Sequence, residues 1–275
     1  MTEKLLLFAA LVCSSSPTAI EAAERPKPLK LAIIAPVMDW DDPELIRDYG
    51  DWLQGHYNLE VVWIQPEHPP KTDDKEIKKQ YYRSPPPIKD LKKAWEADVI
   101  YTALTHVALN EADALEYLKL LQAKPVIGGR RSHSALVFQH PKDHEVLAKG
   151  WEKGWAWEIF GCRMGGHHRG KETLSFGPKA PGHPIIDGLD EVLTKKLTDR
   201  GYRYKKIADD VTVLVVTAEG EPQVWCRTRP GDKPNRVFYF VHDPEDLELH
   251  ECVRRMVARA IFWVADKDHR KYEDG

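Results

Sequence analysis

Several of the twelve histidines of this chain stand next to glycine or shortly after an apolar run. His133 comes shortly after the run that ends in Gly128 and Gly129, and another histidine follows the final apolar run. An imidazole has an unperturbed pKa near 6.5, so it can accept and release protons at neutral pH. We therefore predict proton-transfer chemistry, and the candidate catalytic residues are His133, His167, His168 and His242.

The turn after Gly129 offers no nucleophile. In hydrolases and amidotransferases a Ser or Cys stands at the apex of a comparable strand, turn and helix. Arg130 stands there in this chain, and a guanidinium is permanently cationic and cannot attack a carbonyl. We therefore expect this turn to bind an anionic or polar group, with Arg130 and His133 at the mouth of a crevice. The alternative is that the glycines only let the chain turn while the arginines face water.

The regular elements indicate how these side chains are positioned. Apolar, β-branched runs at 29–35, 59–64, 98–104 and 124–129 predict four strands, and helical spacing predicts helices after Pro43, from Ile88 to Ala97 and from the capping residue Asn110. Such alternation favours a doubly wound, mostly parallel α/β sheet. Ligands bind at the carboxyl ends of the strands in such sheets.

The second half of the chain follows a different pattern. Strands are predicted at 211–216, 223–227 and 236–241, and the short link between the last two favours antiparallel pairing, so we expect an antiparallel extension. A helix is expected from about Leu249 to Ala265. Residues 161–170 combine glycines with histidines and predict a loop long enough to fold over the crevice. The four candidate catalytic histidines would then share one pocket above the central strands.

Composition limits the classes of partner. With 275 residues, 42% of them hydrophobic, the chain can bury a full core, and its formal charge of −3 includes no basic block. Nucleic acid is therefore not expected as a partner. Residues 1–23 have one early lysine, a short apolar run and small residues, which predicts a signal peptide rather than a membrane span. We expect a single domain over 24–275, exported to the periplasm or the extracellular space; a homo-oligomer is left open.

Four landmarks together resemble the trehalose-utilisation (ThuA-like) family, a branch of the class I glutamine-amidotransferase-like superfamily. They are Lys124–Arg130 followed by Ser132 and His133, the Gly-Gly-His-His run at 165–168, the Gly-His-Pro-Ile run at 182–185, and Arg236–Tyr239 leading to the acidic segment 242–246. The resemblance covers roughly residues 29–265. It implies a flavodoxin-like fold and a role in carbohydrate metabolism, without the cysteine used by amidotransferases.

The resemblance and the residues together suggest a protein that acts on a sugar or keto-sugar by histidine-assisted proton transfer or hydrolysis, such as an isomerase or hydrolase. The alternative is a non-catalytic sugar-binding or scaffold protein of the cell envelope. The candidate substrate-binding residues are Arg130, Trp40, Asp243 and His106. No cofactor is expected, although imidazoles and carboxylates at strand ends would also suit a zinc ion.

Overall fold

The structure is a computed structural model. It describes residues 26–35, 43–67, 72–77, 80, 84, 87–104, 109–129, 132–136, 154–167, 172–189, 196–199, 202–230, 235–241 and 251–273. The predicted signal peptide and the domain boundary after residue 23 lie outside these ranges, so both stay predictions. No helix among the described residues is long and apolar enough to cross a membrane.

The regular elements of the described chain are β-strands, α-helices and short 3₁₀ turns. The strands are β1 (Leu29–Ile34), β2 (Leu59–Ile64), β3 (Val99–Thr102), β4 (Val126–Gly129), β5 (Cys162–His167), β6 (Glu172–Pro178), β7 (Lys196–Asp199), β8 (Tyr202–Ile207), β9 (Val211–Thr217), β10 (Pro222–Arg229) and β11 (Asn235–Phe240). The α-helices are α1 (Pro43–His56), α2 (Glu111–Ala123), α3 (Trp155–Phe160) and α4 (Glu251–Val264), with 3₁₀ turns at Leu91–Glu96, Ser132–Ser134 and His269–Lys271.

Nine of the described strands form one mixed sheet in the order β2-β1-β3-β4-β11-β10-β9-β6-β7. The pairs from β2 to β11 are parallel, and the pairs from β11 to β7 are antiparallel. The predicted α/β class, with a mostly parallel half and an antiparallel extension, is thereby confirmed. The predicted antiparallel pairing of β10 with β11 is confirmed as well.

Helices cover both faces of the parallel half, which explains why its strands are apolar throughout. Leu31 and Ile33 of β1 belong to the core cluster that includes residues of α1 and α4. Ala32 and Ile34 belong to the cluster on the other face, with residues of α2 and α3. Successive side chains of a strand point to opposite faces, so a strand covered on both sides must be apolar at every position.

A local signal sets the start of α2, as predicted. The side chain of Asn110 accepts a hydrogen bond from the backbone N–H of Asp113 at 2.9 Å, which satisfies one of the free donors of the first turn. The helix ends at Ala123, and the backbone N–H of Lys124 donates to the carbonyl of Leu120. Asn110 is therefore the confirmed N-cap of α2.

The structure differs from the sequence prediction in two places. The expected short helix at 88–97 is a 3₁₀ turn over Leu91–Glu96. The expected loop at 161–170 contains β5, which pairs antiparallel with β8 in a separate two-stranded sheet. The segment Cys162–His167 has two glycines and no alternation of apolar and polar residues, so its strand conformation depends on pairing with β8, 40 residues away between the registered partners Met164 and Tyr204.

Candidate active site at the carboxyl edge of the parallel sheet

Four neighbouring parallel strands end at the same edge of the sheet. They are β1, β3, β4 and β11, which end at Ile34, Thr102, Gly129 and Phe240. Predicted site residues follow each of these ends in the sequence: Trp40 after β1, His106 after β3, Arg130 after β4, and His242 and Asp243 after β11. These five residues and His168 lie outside the described residues, so their roles stay predictions. What the structure does establish is the adjacency of the four strand ends.

His133 lies in the 3₁₀ turn that follows β4, and it is buried, with 4% of its surface exposed. Its Nδ1 forms a hydrogen bond with the hydroxyl of Tyr239 in β11. Its Nε2 lies 3.2 Å from Sδ of Met164 in β5. The sequence suggested a histidine at the mouth of the crevice, whereas the structure places it beneath β5 as part of the core. Its catalytic role stays a prediction.

Aromatic rings hold the partner of His133 in place. The ring of Tyr239 stacks on Trp225 with a centroid distance of 4.5 Å and an interplanar angle of 21°. Phe160 lies edge-on to Tyr239 at 5.1 Å, and the indole N–H of Trp225 donates to the carbonyl of Phe160 at 2.8 Å. Edge-to-face and offset-stacked pairs of this kind are favourable beyond their buried area. The Tyr239 hydroxyl is therefore aimed at His133 by packing from several elements.

The β5–β8 sheet lies over this cluster. Met164 of β5 contacts His133, and Tyr204 of β8 packs edge-on against both His133, at 6.2 Å, and Trp225, at 5.0 Å. His167 is the last residue of β5, and its backbone is in register with Tyr202. The strand that ends at His167 therefore contacts His133 through Met164. That His167 shares a pocket with His133 stays a prediction.

Burial governs the protonation of this cluster. Desolvation raises the pKa of the Tyr239 and Tyr204 hydroxyls well above their usual value. Tyr204 raises the pKa of Tyr239 further, whereas Tyr239 partly offsets the rise at Tyr204. Burial also raises the pKa of the Cys162 thiol, and the nearby Arg227 guanidinium only partly offsets this. All three groups are therefore neutral at physiological pH. Cys162 is a buried thiol, which is the opposite of an activated nucleophile.

The two glycines at the end of β4 have a packing role. Neither has a positive φ; both are strand residues paired with β11. A Cβ on Gly128 would lie 2.5 Å from a ring carbon of Phe160 and 2.8 Å from one of Tyr239. The suggestion that these glycines only let the chain turn is therefore wrong. Glycine is needed at Gly128 because the aromatic rings approach the strand backbone too closely for any side chain.

Two features of the site were not identified from the sequence. Tyr239 and Tyr204 lie in β11 and β8, where an aromatic residue looks like ordinary core. Ser132 is fully buried beside the turn, and its hydroxyl makes no hydrogen bond with a described residue. The one sequence feature that could have indicated the contact with His133 was the tyrosine at the carboxyl end of β11, because β11 lies beside the strand that precedes His133.

A second histidine, His183, belongs to a different cluster. Its Nε2 lies 3.6 Å from Sγ of Cys226, and its ring packs against Trp263 at 5.4 Å. Cys226 belongs to the core cluster on the α1 and α4 face, whereas Tyr239 belongs to the cluster on the opposite face. His183 is therefore separated from His133 by the sheet. Burial, aided by the charge of Arg236, lowers the pKa of His183.

Among the described residues, no group of three His, Cys, Asp or Glu side chains could hold a metal ion. Because His168, His242 and Asp243 are not among them, the zinc hypothesis from the sequence stays open. The three described cysteines, Cys162, Cys226 and Cys252, are buried and form no disulfide.

Comparison with known proteins gives agreement in structure and none in sequence. No protein-family model matches the chain, and no curated protein matches it either. A ThuA-like protein from Bacteroides uniformis ATCC 8492 superposes with a TM-score of 0.58 at 14% identity, over 89% of this chain and 94% of that one. A second, from Parabacteroides merdae ATCC 43184, gives 0.53 at 13%, over 88% and 91%. The chain has the fold of the ThuA-like proteins.

The fold of this chain also resembles part of a larger protein. A GH42 β-galactosidase from G. stearothermophilus superposes with a TM-score of 0.51 at 13% identity, over 88% of this chain and 30% of that one. At such identities a superposition shows the fold alone, and one fold supports many functions.

Proposed function

We propose that this protein processes a sugar or keto-sugar at the carboxyl edge of its parallel sheet by histidine-assisted proton transfer or hydrolysis, without amidotransferase activity. The observation that supports this most is the hydrogen bond between His133 and Tyr239 beneath that edge. This bond connects the turn after β4 to the end of β11. In the sequence, Arg130 lies between β4 and that turn, and His242 follows β11. A sugar bound between these segments would have polar groups on two sides.

The proposed chemistry needs a base and a group that stabilises negative charge. Removal of a proton next to a sugar carbonyl requires a base within hydrogen-bonding distance of that proton and a donor or cation at the oxygen that becomes anionic. His167, His168 or His242 would be the base, and Arg130 would stabilise the charge. Trp40 would stack on the sugar ring, and His106 and Asp243 would bind its hydroxyl groups. His133 would act with them through Tyr239.

One observation favours the second candidate, a non-catalytic sugar-binding or scaffold protein. His133 is almost completely buried, and both of its ring nitrogens have contacts inside the protein, Nδ1 with Tyr239 and Nε2 with Met164. A general base has to reach its substrate. In this alternative, His133 only stabilises the turn after β4, and the crevice binds a sugar without changing it.

Incubation in D₂O with a panel of aldoses, ketoses, keto-sugars and glycosides distinguishes the two. Proton transfer from carbon incorporates deuterium next to the carbonyl, which NMR detects even when no net product accumulates, and a hydrolytic substrate gives new sugar signals. Calorimetry on the same samples reports binding. We expect exchange or turnover to fall at least about tenfold in His167→Ala and His242→Ala. The control is His56→Ala, an exposed histidine on α1. Binding without exchange or turnover would favour the sugar-binding protein, and absence of binding would contradict both proposals.

Export is a separate proposal that rests on residues 1–23. A lysine, an apolar run too short to span a membrane, and small residues up to Ala22 and Ala23 follow one another in the order of a signal peptide. We expect mass spectrometry of protein from the native host to find the mature terminus near Ala23. Recovery of a terminus at Met1 or Thr2 would contradict the proposal.

A further inference from the structure

A cleft of about 420 Å³ lies at the other edge of the sheet, away from the strand ends described above. It is found where β10 ends at Arg229, which pairs with Asn235 at the start of β11. Its lining includes Gln122, Trp157, Glu158, Arg227, Arg229 and Asn235. None of them follows the carboxyl end of a parallel strand, so this cleft is distinct from the proposed sugar site.

Arg229 brings a positive charge into this cleft without a carboxylate partner among the described residues. Its side chain is more than nine-tenths buried, with 8% of the residue surface exposed. Its Nη1 donates to the carbonyl of Leu121 at 2.7 Å, and its Nη2 donates to the carbonyl of Lys124 at 2.9 Å. These carbonyls belong to the end of α2, so the guanidinium caps that helix while its full charge remains only partly compensated.

Arg227 adds a second buried cation on the same side of β10. It is two residues away, 9% exposed, and pairs with Asp210 at 2.5 Å. Its Nη1 also donates to the carbonyls of Trp157 and Glu158 at the end of α3. The Nε–H groups of Arg227 and Arg229 are buried and donate to no acceptor in the described part of the chain. Among the described residues, the ion-pair partner of these two buried guanidinium groups is therefore Asp210 alone, which pairs with Arg227 and has a side chain that is 44% exposed.

The two buried arginines therefore give this cleft an excess of positive charge where little solvent can compensate it. Burial and the charge of Arg227 lower the pKa of Arg229 to about 10, which still leaves it cationic at neutral pH. A buried charge is costly unless another charge compensates it. Helix capping accounts for the Nη contacts of both arginines, but it does not account for two cations beside one carboxylate.

We propose that this cleft binds a small organic anion through its carboxylate or phosphate group, which pairs with Arg227 and Arg229. Guanidinium groups bind both kinds of oxyanion through paired, charge-assisted hydrogen bonds. The half-buried indole of Trp157, with Lys206 Nζ 5.3 Å from the ring, would pack against the rest of the molecule. Glu158 at the rim opposes an anion, so it limits the affinity. This inference does not depend on the proposed sugar-processing activity.

The experiment follows the arginine Nε–H resonances of the intact chain by ¹H–¹⁵N NMR during titration with acetate, inorganic phosphate and glucuronate. Glucose and sodium chloride at matched ionic strength are the neutral and screening controls. We expect saturable shifts of the Arg227 and Arg229 resonances with glucuronate and at least one of the two simple anions, and none with glucose. Glu158→Gln should tighten binding about threefold, the usual effect of one solvent-exposed charge. Glu96→Gln, also exposed, should leave it unchanged.

Arg229→Met should abolish the shifts, but this variant also loses the cap of α2 and can unfold, so Glu158→Gln serves as the decisive variant. Selective binding of acetate or of phosphate would identify which oxyanion the cleft prefers, and either result supports the proposal. The proposal is overturned if neither anion shifts these resonances more than chloride does, or if Glu158→Gln leaves the affinity unchanged. The arginines would then serve only to cap α2 and α3.

Discussion

At the scale of single residues, the contact between His133 and Tyr239 joins two segments that are 106 positions apart in the chain. The hydroxyl of Tyr239 is buried, and so is the ring that it contacts. A buried polar atom that loses its partner keeps the cost of desolvation without the gain of the hydrogen bond. This bond therefore stabilises the floor of the proposed site, whatever its part in chemistry.

Tyr239→Phe tests that statement. We expect the free energy of unfolding to fall by about 1–3 kcal/mol, because Nδ1 of His133 is left without its hydroxyl partner. Urea denaturation measures the change. The matched control is Tyr272→Phe, a buried tyrosine whose hydroxyl makes no hydrogen bond with a described residue and which should change stability far less. Equal effects of the two substitutions would show that the His133 contact contributes nothing to stability.

Of the three described cysteines, Cys162 is the one whose thiol influences the pKa of both Tyr204 and Tyr239, the tyrosines beside His133. Burial keeps this thiol protonated, so it should not attack a substrate carbonyl. We expect no release of ammonia from glutamine, and alkylation of Cys162 at pH 8 only after unfolding, as followed by peptide mass spectrometry. Glutaminase activity that disappears in Cys162→Ala would contradict this prediction.

At the scale of elements, the site depends on how closely α3 and β11 pack against the end of β4. Gly128 permits this approach, because a Cβ there would overlap Phe160 and Tyr239. The rings belong to different elements, and Trp225 stacks on Tyr239 and also packs edge-on against Tyr204 in the same cluster. A side chain at Gly128 would have to displace α3 or β11. Displacing β11 would also move Tyr239, the partner of His133.

We therefore expect Gly128→Ala to lower the free energy of unfolding by about 1–3 kcal/mol, the usual cost of overpacking a core. Gly177→Ala is the matched control, since Gly177 is also a strand glycine and a Cβ there would meet nothing within 4 Å. That control should be neutral or slightly stabilising, because alanine reduces the conformational freedom of the unfolded chain. Urea denaturation of both variants decides the matter: similar losses would mean that the ring contacts are not what requires glycine.

At the scale of the whole molecule, buried titratable groups confine stability to a range of pH. Burial raises the pKa of Cys226 to about 12 and that of several buried tyrosines above their usual value. Groups whose pKa is raised by folding contribute their full stability below the unfolded pKa and lose it as pH rises towards the folded one. Burial is the main cause of the lowered pKa values of His183 and His269. Their contribution to the free energy of unfolding is therefore lost as pH falls below the pKa of histidine in the unfolded chain.

The expected result is a maximum in the free energy of unfolding between about pH 6.5 and 8.5, the unfolded pKa values of histidine and cysteine. Urea denaturation from pH 5 to 10 measures it. His183→Asn should make the acidic decline less steep, and Cys226→Ala should do the same for the alkaline decline. A free energy of unfolding that is as large at pH 10 as at pH 7.5 would contradict the prediction.

The sequence by itself was sufficient for the parallel half of the sheet, for the pairing of β10 with β11 and for the cap at Asn110. These features have local causes. A strand covered on both faces must be apolar at every position, a short link between strands favours an antiparallel pair, and a capping side chain lies next to the helix that it caps. The likeness to ThuA-like proteins, which the sequence suggested through four short landmarks, is confirmed at the level of the fold.

Only the tertiary structure decided where His133 lies and that Cys162–His167 forms a strand. No residue near His133 in sequence indicates that Met164 and Tyr239 will cover it, because both contacts come from distant elements. The segment Cys162–His167 lacks strand periodicity, so its conformation comes from β8 rather than from its own side chains. The cleft of Arg227 and Arg229 has the same origin: in the sequence these are two charged residues of a strand, and packing against the ends of α2 and α3 buries them.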